Sequence, residues 1–315
     1  MPALLSTLTN SVLNRIRRSP LYYERYNNTC DFTTNRTYTR YARECRAAYE
    51  REHGTVDLPE SPLWYNTSTL IRGAFPADKA RAYSDKIGTL IERKDPCIIP
   101  PKEDGLAIGI REPLINLGND LLDTLRAPDV QRNLLAFFRS HYRIEWIVSY
   151  RSLPSKNAAG SWLWHSDTFP PHTCKLFLHL TKTTAETGAM EVMNREDTMA
   201  YRRAGYFGQF QSERTADLEG FARTHGLQYR PHHFDAEPGD VTLFDMNFLH
   251  RAVAPQAGIR DVVVFLFLPN MVSWEKQLEL DGGFAARSKR TPSPLQKDPG
   301  VTTIVQTSGG ASMMA

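Results

Sequence analysis

Cysteine is scarce in this chain. The four that occur, Cys30, Cys45, Cys97 and Cys174, form no C-x-x-C pair and no disulfide framework. Their pattern points to reduced thiols in a reducing compartment, and a cytoplasmic location is the expectation. Long apolar runs are also missing, since none approaches the roughly 20 residues that cross a bilayer. Charge of either sign is not in marked excess. The 38 basic and 35 acidic residues leave a net +3, too little by itself to call for nucleic acid or an acidic membrane. What remains is 41% hydrophobic and 23% charged, ordinary for a soluble globular protein. A chain of 315 residues suits one large domain with appendages or two smaller ones, and no internal repeat is visible.

Acidic residues are absent from Met1 to Tyr23, where Leu4, Leu5, Leu8, Val12, Leu13 and Ile16 fall on one helical face beside Arg15, Arg17 and Arg18. Such a segment reads as an amphipathic helix packed on the domain or, alternatively, as an organellar transit peptide or interfacial helix. Residues 1–67 are read as a helical or irregular extension, within which Tyr38 to Arg51 suits a helix. From Thr69 to Phe75 the pattern is a short strand and a turn. A helix opened by Pro76 follows, with Ala80, Tyr83, Ile87, Leu90 and Ile91 inward. Four prolines make residues 95–118 a loop with short extended pieces, and Val130 to Tyr142 suits a second helix.

Beyond Arg143 the character turns extended. Ile144–Tyr150, Lys175–Thr181, Glu191–Met193, Val241–Asp245 and Asp261–Leu268 read as strands by their β-branched and aromatic content. Short strands between Gly/Pro turns predict a sandwich or barrel rather than a parallel sheet. Residues 194–227 interrupt them as a polar, helical insertion, either a lid or substrate-contacting segment or a surface excursion. The tail, residues 282–315, is expected to be disordered.

Two His-x-Asp triplets occur, His165-Ser166-Asp167 and His233-Phe234-Asp235. On an extended chain residues i and i+2 share a face, so either triplet can present an imidazole beside a carboxylate. A second histidine from a neighbouring strand would complete two histidines and one carboxylate on one side of a metal. Three adjacent positions stay open, as non-haem Fe(II) requires when it binds a cosubstrate and O2 together. His250 is the candidate third ligand, following the turn Pro238-Gly239-Asp240 and a strand. His233 stands only 17 positions before His250, a single hairpin, which favours His165 and Asp167. Arg260 then leads into an apolar strand. An arginine aimed into a barrel needs an anion, and its planar fork suits a carboxylate. His172 and His179 read as supporting or core histidines, and Trp162 and Trp164 as walls of the site or core.

With these residues in view the chain resembles the Fe(II)/2-oxoglutarate dioxygenases, in particular the phytanoyl-CoA hydroxylase-like branch. The resemblance runs through His165-Ser166-Asp167, Gly239-Asp240-Val241-Thr242-Leu243-Phe244-Asp245, His250-Arg251-Ala252 and Arg260. The turn Glu186-Thr187-Gly188-Ala189-Met190 and the stretch Leu70 to Arg93 are similar as well, so that residues 68–270 are covered.

The resemblance implies a mainly β chain with flanking helices, folded as a double-stranded β-helix (jelly roll, cupin-like) over residues 68–281. It further implies Fe(II) held by His165, Asp167 and His250, with 2-oxoglutarate anchored by Arg260. With O2 as oxidant, the expected chemistry hydroxylates a C–H bond of a small molecule and releases succinate and CO2. Retention of Asp167 favours hydroxylation over halogenation. Two departures stand out: Val262 replaces the Ser or Thr common two residues after the arginine, and Met193-Asn194-Arg195 replaces a common Pro-Gly-Ser-His. Tyr150, Lys175 or Thr242 could supply the hydrogen bond that Val262 cannot. Nucleic acid is not an expected substrate, because the next arginine after Arg260 is Arg287. The alternative function is a jelly-roll protein that binds a metal or small molecule without oxidising it.

Overall fold

One extended sheet, covered by helices on one face and by a short second sheet on the other, positions everything else. The computed structural model describes residues 12–13, 15–26, 28, 30–55, 57–101, 106–155, 159–167, 169–290 and 299. Its strands are β1 (Ser68–Ile71), β2 (Ile98–Ile99), β3 (Ala107–Ile110), β4 (His141–Ser152), β5 (Cys174–His179), β6 (Glu191–Val192), β7 (Val241–Phe244), β8 (His250–Arg251) and β9 (Arg260–Asn270). Seven of them form an antiparallel sheet in the order β1-β7-β5-β9-β4-β3-β2, and β6 pairs with β8.

Strand order identifies the fold. Within the large sheet the neighbours β4, β9, β5 and β7 lie side by side. Opposite them, His165 bridges His250 of β8, β8 pairs β6, and Val192 of β6 bridges His232. The chain therefore passes from β4 to the second sheet at His165, back at β5, across again at β6 and His232, and back at β7. It crosses once more at β8 and returns at β9. Two four-membered layers wound together in this way make a double-stranded β-helix, the jelly roll expected for this chain.

The two-residue period of a strand separates two interiors. Cys174, Leu176 and Leu178 of β5, Val241 and Leu243 of β7, and Val263, Phe265 and Phe267 of β9 pack with the helices Ala77–Glu92 and Pro128–Phe138 in the main core. Their alternates, among them Phe244, Val262, Val264, Leu266 and Trp146, form a second cluster between the two sheets. Both faces of β9 are buried, which is why it reads as one continuous apolar run rather than an alternating one.

Local chemistry explains where the flanking elements begin and end. Helix Ala77–Glu92 follows Pro76 as expected. The turn before it is tied down when Phe75 N–H donates to the Gly239 carbonyl at 3.0 Å. Gly239 has φ +94°, and a Cβ there would lie 2.2 Å from the Phe75 oxygen, so only glycine fits. Helix Phe32–His53 is longer than the sequence reading, capped by Asp31 accepting from Thr34 N–H and ended at Gly54. Its buried face is Asn35, Tyr38, Tyr41, Ala42, Cys45 and Tyr49, a helical spacing built from polar and aromatic residues rather than aliphatic ones. Residues 95–118 contain β2, β3 and the short helix Pro113–Asn116.

The stretch from residue 282, expected to be disordered, opens instead with helix Gly283–Ser288. Glu145, buried in β4, is the reason. Arg290 donates to its carboxylate at 2.6 Å, Arg143 at 3.3 Å, and Arg287 donates to its backbone carbonyl at 3.2 Å. A buried carboxylate needs such partners; Arg290 of the tail supplies one, and Arg287 holds the same residue through its backbone. Residues 291–298 and 300–315 of the expected tail lie outside the described residues, as does most of the acid-free N-terminal segment. Within the described part of that segment Val12, Leu13 and Ile16 are exposed. Arg18 pairs with Glu213 and stacks over Phe207 and Phe210 of the insertion. No helix among the described residues is long and apolar enough to cross a membrane.

Candidate metal centre

The structure brings His165, Asp167 and His250 together, each offering one ligand atom within 4.8 Å of the others. The route differs from the sequence reading in one respect. His165 and Asp167 do not lie in a regular strand. They sit on an extended segment pinned by individual backbone bonds. His165 and His250 exchange both N–H···O bonds at 2.9 Å, and Asp167 N–H donates to the Met246 carbonyl at 3.0 Å. Residues opposed across such a bridge project to the same side, which sets the two imidazoles together, tilted by 48° with centroids 4.3 Å apart.

Ring orientation follows from the second nitrogen. His165 Nδ1–H donates to the Leu163 carbonyl at 2.7 Å, and His250 Nδ1–H donates to the Phe248 carbonyl at 2.9 Å. A carbonyl can only accept, so each neutral ring keeps its proton on Nδ1 and presents a bare Nε2 lone pair. Those Nε2 atoms lie 3.7 Å and 3.6 Å from the two carboxylate oxygens of Asp167. Burial holds both histidines below their usual range, against the opposing pull of Asp167, and so favours the neutral rings. Asp167 moves the other way. Burial alone would raise its carboxyl, but the Lys175 ammonium beside it outweighs burial and holds it well below the usual carboxylate range. Lys175 Nζ donates to Asp167 Oδ2 at 2.8 Å.

Arg260 is 2% exposed and enters the same interior. Its sequence neighbour Asp261 faces the opposite side of β9, where Arg151 and Ser84 hold it at 2.7 Å and 2.6 Å. No carboxylate of the described residues pairs with Arg260. One terminal nitrogen donates to the Gly188 carbonyl and the other to Ser152 Oγ at 3.3 Å, Tyr150 also accepts, and Nε has no partner. The guanidinium lines a pocket shared with Phe177, His179, Met190, Val192, Phe234, Thr242 and Val262. Val192 is the register partner of His250, so this space borders the metal ligands.

The remaining candidates sort clearly. Of the three possible partners for an anion at Arg260, Thr242 lines the space, Tyr150 bonds Arg260 itself, and Lys175 is held by Asp167. His179 is buried between Thr183 and Thr242 at 3.1 Å and 2.9 Å, and burial, with Arg260 adding to it, pushes it down to about 3. His172 is exposed, in left-handed backbone at φ +64°. The rival His233 and Asp235 face solvent, 3.7 Å apart and far less buried than the first triplet. Trp164 is fully buried in the core around the insertion, while Trp162 lies beneath Arg260 at 5.8 Å.

Two features have no counterpart in the sequence reading. The first is the salt bridge from Lys175 to Asp167. Its only sequence signal is that Lys175 shares the inward period of Phe177 and His179. The second is Glu52, His53 and His141, a surface group of potential metal ligands formed where helix Phe32–His53 meets β4. Glu52 already binds His141 at 3.1 Å there.

Known structures were compared with this one. It is similar to the epimerase SnoN in complex with Fe3+, alpha ketoglutarate and nogalamycin RO, at 12% sequence identity over 73% of this chain and 84% of that one, with a TM-score of 0.45. It is also similar to the non-haem alpha ketoglutarate-dependent carbocyclase SnoK from nogalamycin biosynthesis, at 16% identity over 71% and 83% of the chains, with a TM-score of 0.46. A third is EctD from S. alaskensis with 2-oxoglutarate and 5-hydroxyectoine, at 20% identity over 68% and 78%, with a TM-score of 0.45. No family model and no curated protein matches the chain. Fold and site alike are therefore read from this chain's own strand order and distances.

Proposed function

We propose that this chain is a non-haem Fe(II)/2-oxoglutarate-dependent oxygenase that hydroxylates a C–H bond of a small organic substrate. The donor set fits Fe(II). Two neutral imidazoles with free Nε2 atoms and one carboxylate converge from one side, and that carboxylate stays ionised despite burial. The observation that carries the reading beyond simple metal binding is Arg260, a buried guanidinium without a counter-ion beside a space that borders the ligands. A protein that only held a metal would have no use for it, and leaving it unpaired is costly.

When bound, Fe(II) chelated by the oxo acid supplies O2 activation. Overall, O2, 2-oxoglutarate and a substrate C–H become a C–OH, succinate and CO2. The chain's own residues bind and orient. Arg260 takes the distal carboxylate of 2-oxoglutarate, with Thr242 beside it as the second hydrogen-bond donor. The carbonyls of Leu163 and Phe248 lock the imidazoles, and Lys175 fixes one carboxylate oxygen of Asp167, leaving the other free for the metal. Phe177, Met190, Val192 and Val262 keep the walls apolar and exclude water. Anaerobic addition of Fe(II) and 2-oxoglutarate should produce the visible charge-transfer band of the chelate, and O2 should then release succinate. Absence of both results would refute the proposal.

A further inference from the structure

The insertion between β6 and β7 comes to lie directly against the ligand segment. Tyr206 donates its hydroxyl to the Trp164 carbonyl at 2.8 Å and accepts from Thr215 N–H at 3.2 Å. Trp164 N–H in turn donates to the Thr215 carbonyl at 2.9 Å. Gly208 rests on the ligand backbone itself. Its φ is +61°, and a Cβ there would stand 2.8 Å from His165 Cα.

The Trp164–Thr215 bridge is antiparallel, so residue 214 stands opposite His165. Opposed residues in an antiparallel pair project to the same side. Arg214 therefore shares the face from which His165 reaches the metal cluster. Its charge is felt at His165, His250 and Asp167. Two of its nitrogens, Nε and Nη1, are buried without a hydrogen-bond partner. The carboxylates that could have served it are taken, Glu213 by Arg18 and Asp167 by Lys175. A half-buried guanidinium on the face of a site, with two nitrogens desolvated and short of acceptors, is suited to an anion that arrives with the ligand.

We propose that Arg214 selects an anionic substrate, one carrying a carboxylate, phosphate or sulfate group, and holds that group beside the His165–Asp167–His250 cluster. The inference rests on the oxygenase reading for the nature of the site. Arg260, on β9, takes the cosubstrate, so the two arginines divide two anions between them: one fixed by the sheet, the other delivered by the insertion.

The test uses full-length wild type, R214Q, R214K and R260Q. Small carboxylic acids, phosphate monoesters and sulfate monoesters, each paired with its neutral amide or alcohol, are screened by ligand-observed NMR. The protein is loaded with Zn(II) and saturated with 2-oxoglutarate, so that the cosubstrate's own site is filled. Acids should bind wild type in preference to their neutral partners. R214Q should weaken them roughly ten- to a hundredfold, the range of a charge-assisted hydrogen bond, and R214K should recover part of the loss. The 2-oxoglutarate dissociation constant should rise in R260Q and stay near wild type in R214Q. The proposal is overturned if neutral partners bind as well as the acids, if no acid binds wild type, or if R214Q binds acids like wild type. A 2-oxoglutarate constant raised in R214Q as much as in R260Q would also overturn it, assigning Arg214 to the cosubstrate. Failure of the oxygenase reading would be seen separately, as a missing Fe(II)–2-oxoglutarate band in wild type, and the NMR comparison would still decide what Arg214 binds.

Discussion

Replacing Arg260 by Gln should weaken 2-oxoglutarate binding more than any other single change outside the metal ligands. The guanidinium is 2% exposed, has no carboxylate partner and leaves Nε unsatisfied. It has already lost its hydration in the folded protein, and Gly188 and Ser152 hold its other nitrogens in place. A carboxylate arriving there meets donors that are desolvated and oriented in advance. Losing that charge-assisted pairing costs about 2–4 kcal/mol, or roughly 30- to 1000-fold in dissociation constant. The assay is an anaerobic 2-oxoglutarate titration of the Fe(II)-loaded protein, followed at the visible charge-transfer band. R260K should fall between, because it keeps the charge but loses the planar fork that also satisfies Gly188 and Ser152. Since R260Q strips donors from those two acceptors, its thermal melt is recorded alongside. A cooperative melt together with a constant within about threefold of wild type, under ~0.7 kcal/mol, would refute the assignment.

Four further outcomes follow from the same geometry. Asp167→Ala should abolish Fe(II)-dependent succinate release and the melting shift that the metal gives wild type, whereas Asp235→Ala should leave both intact, and the reverse result would move the ligand set to the second triplet. Gly208→Ala would put a Cβ 2.8 Å from His165 Cα in left-handed backbone, so urea unfolding should show a loss of about 1–3 kcal/mol, and an unchanged midpoint would mean that the insertion does not rest on the ligand segment. Asp245, whose carboxyl burial pushes up to about 6, favours the fold when protonated, so that contribution is present below its ordinary range and lost as pH rises through about 6; the melting temperature of Asp245→Asn should therefore pull ahead of wild type between pH 4 and pH 7, and parallel curves would refute the shift. Ending the chain after residue 281 removes Arg287 and Arg290 from Glu145 and should destabilise by about 3–5 kcal/mol in urea, while an unchanged midpoint would make those contacts incidental.

The strands and the metal-ligand candidates were legible because each depends on local pattern. The β4, β5, β7 and β9 segments carry β-branched and aromatic residues, and His165 and Asp167 stand two apart on an extended chain. Preference for His165 over His233 also followed from sequence separation alone, since a jelly-roll site draws on strands far apart in the chain. Other features were less legible for physical reasons. Helix Phe32–His53 turns tyrosines, a cysteine and an asparagine inward, which blurs its periodicity. Helix Gly283–Ser288 has little apolar pattern because it is held by arginines reaching a buried glutamate about 140 residues away in sequence.

By itself the sequence determined which side chains could meet: an alternating strand sets which residues share a face, and an apolar run sets which strand is buried on both. The tertiary structure decided what they meet. Asp261 and Arg260 are adjacent in the chain yet serve opposite faces, one bound by Arg151 and the other left without a counter-ion. Arg214 lies in a segment with no motif, and only the Trp164–Thr215 bridge sets it beside His165. Periodicity is a property of neighbours along the chain, whereas a missing partner is a property of everything that surrounds a charge once water has been excluded.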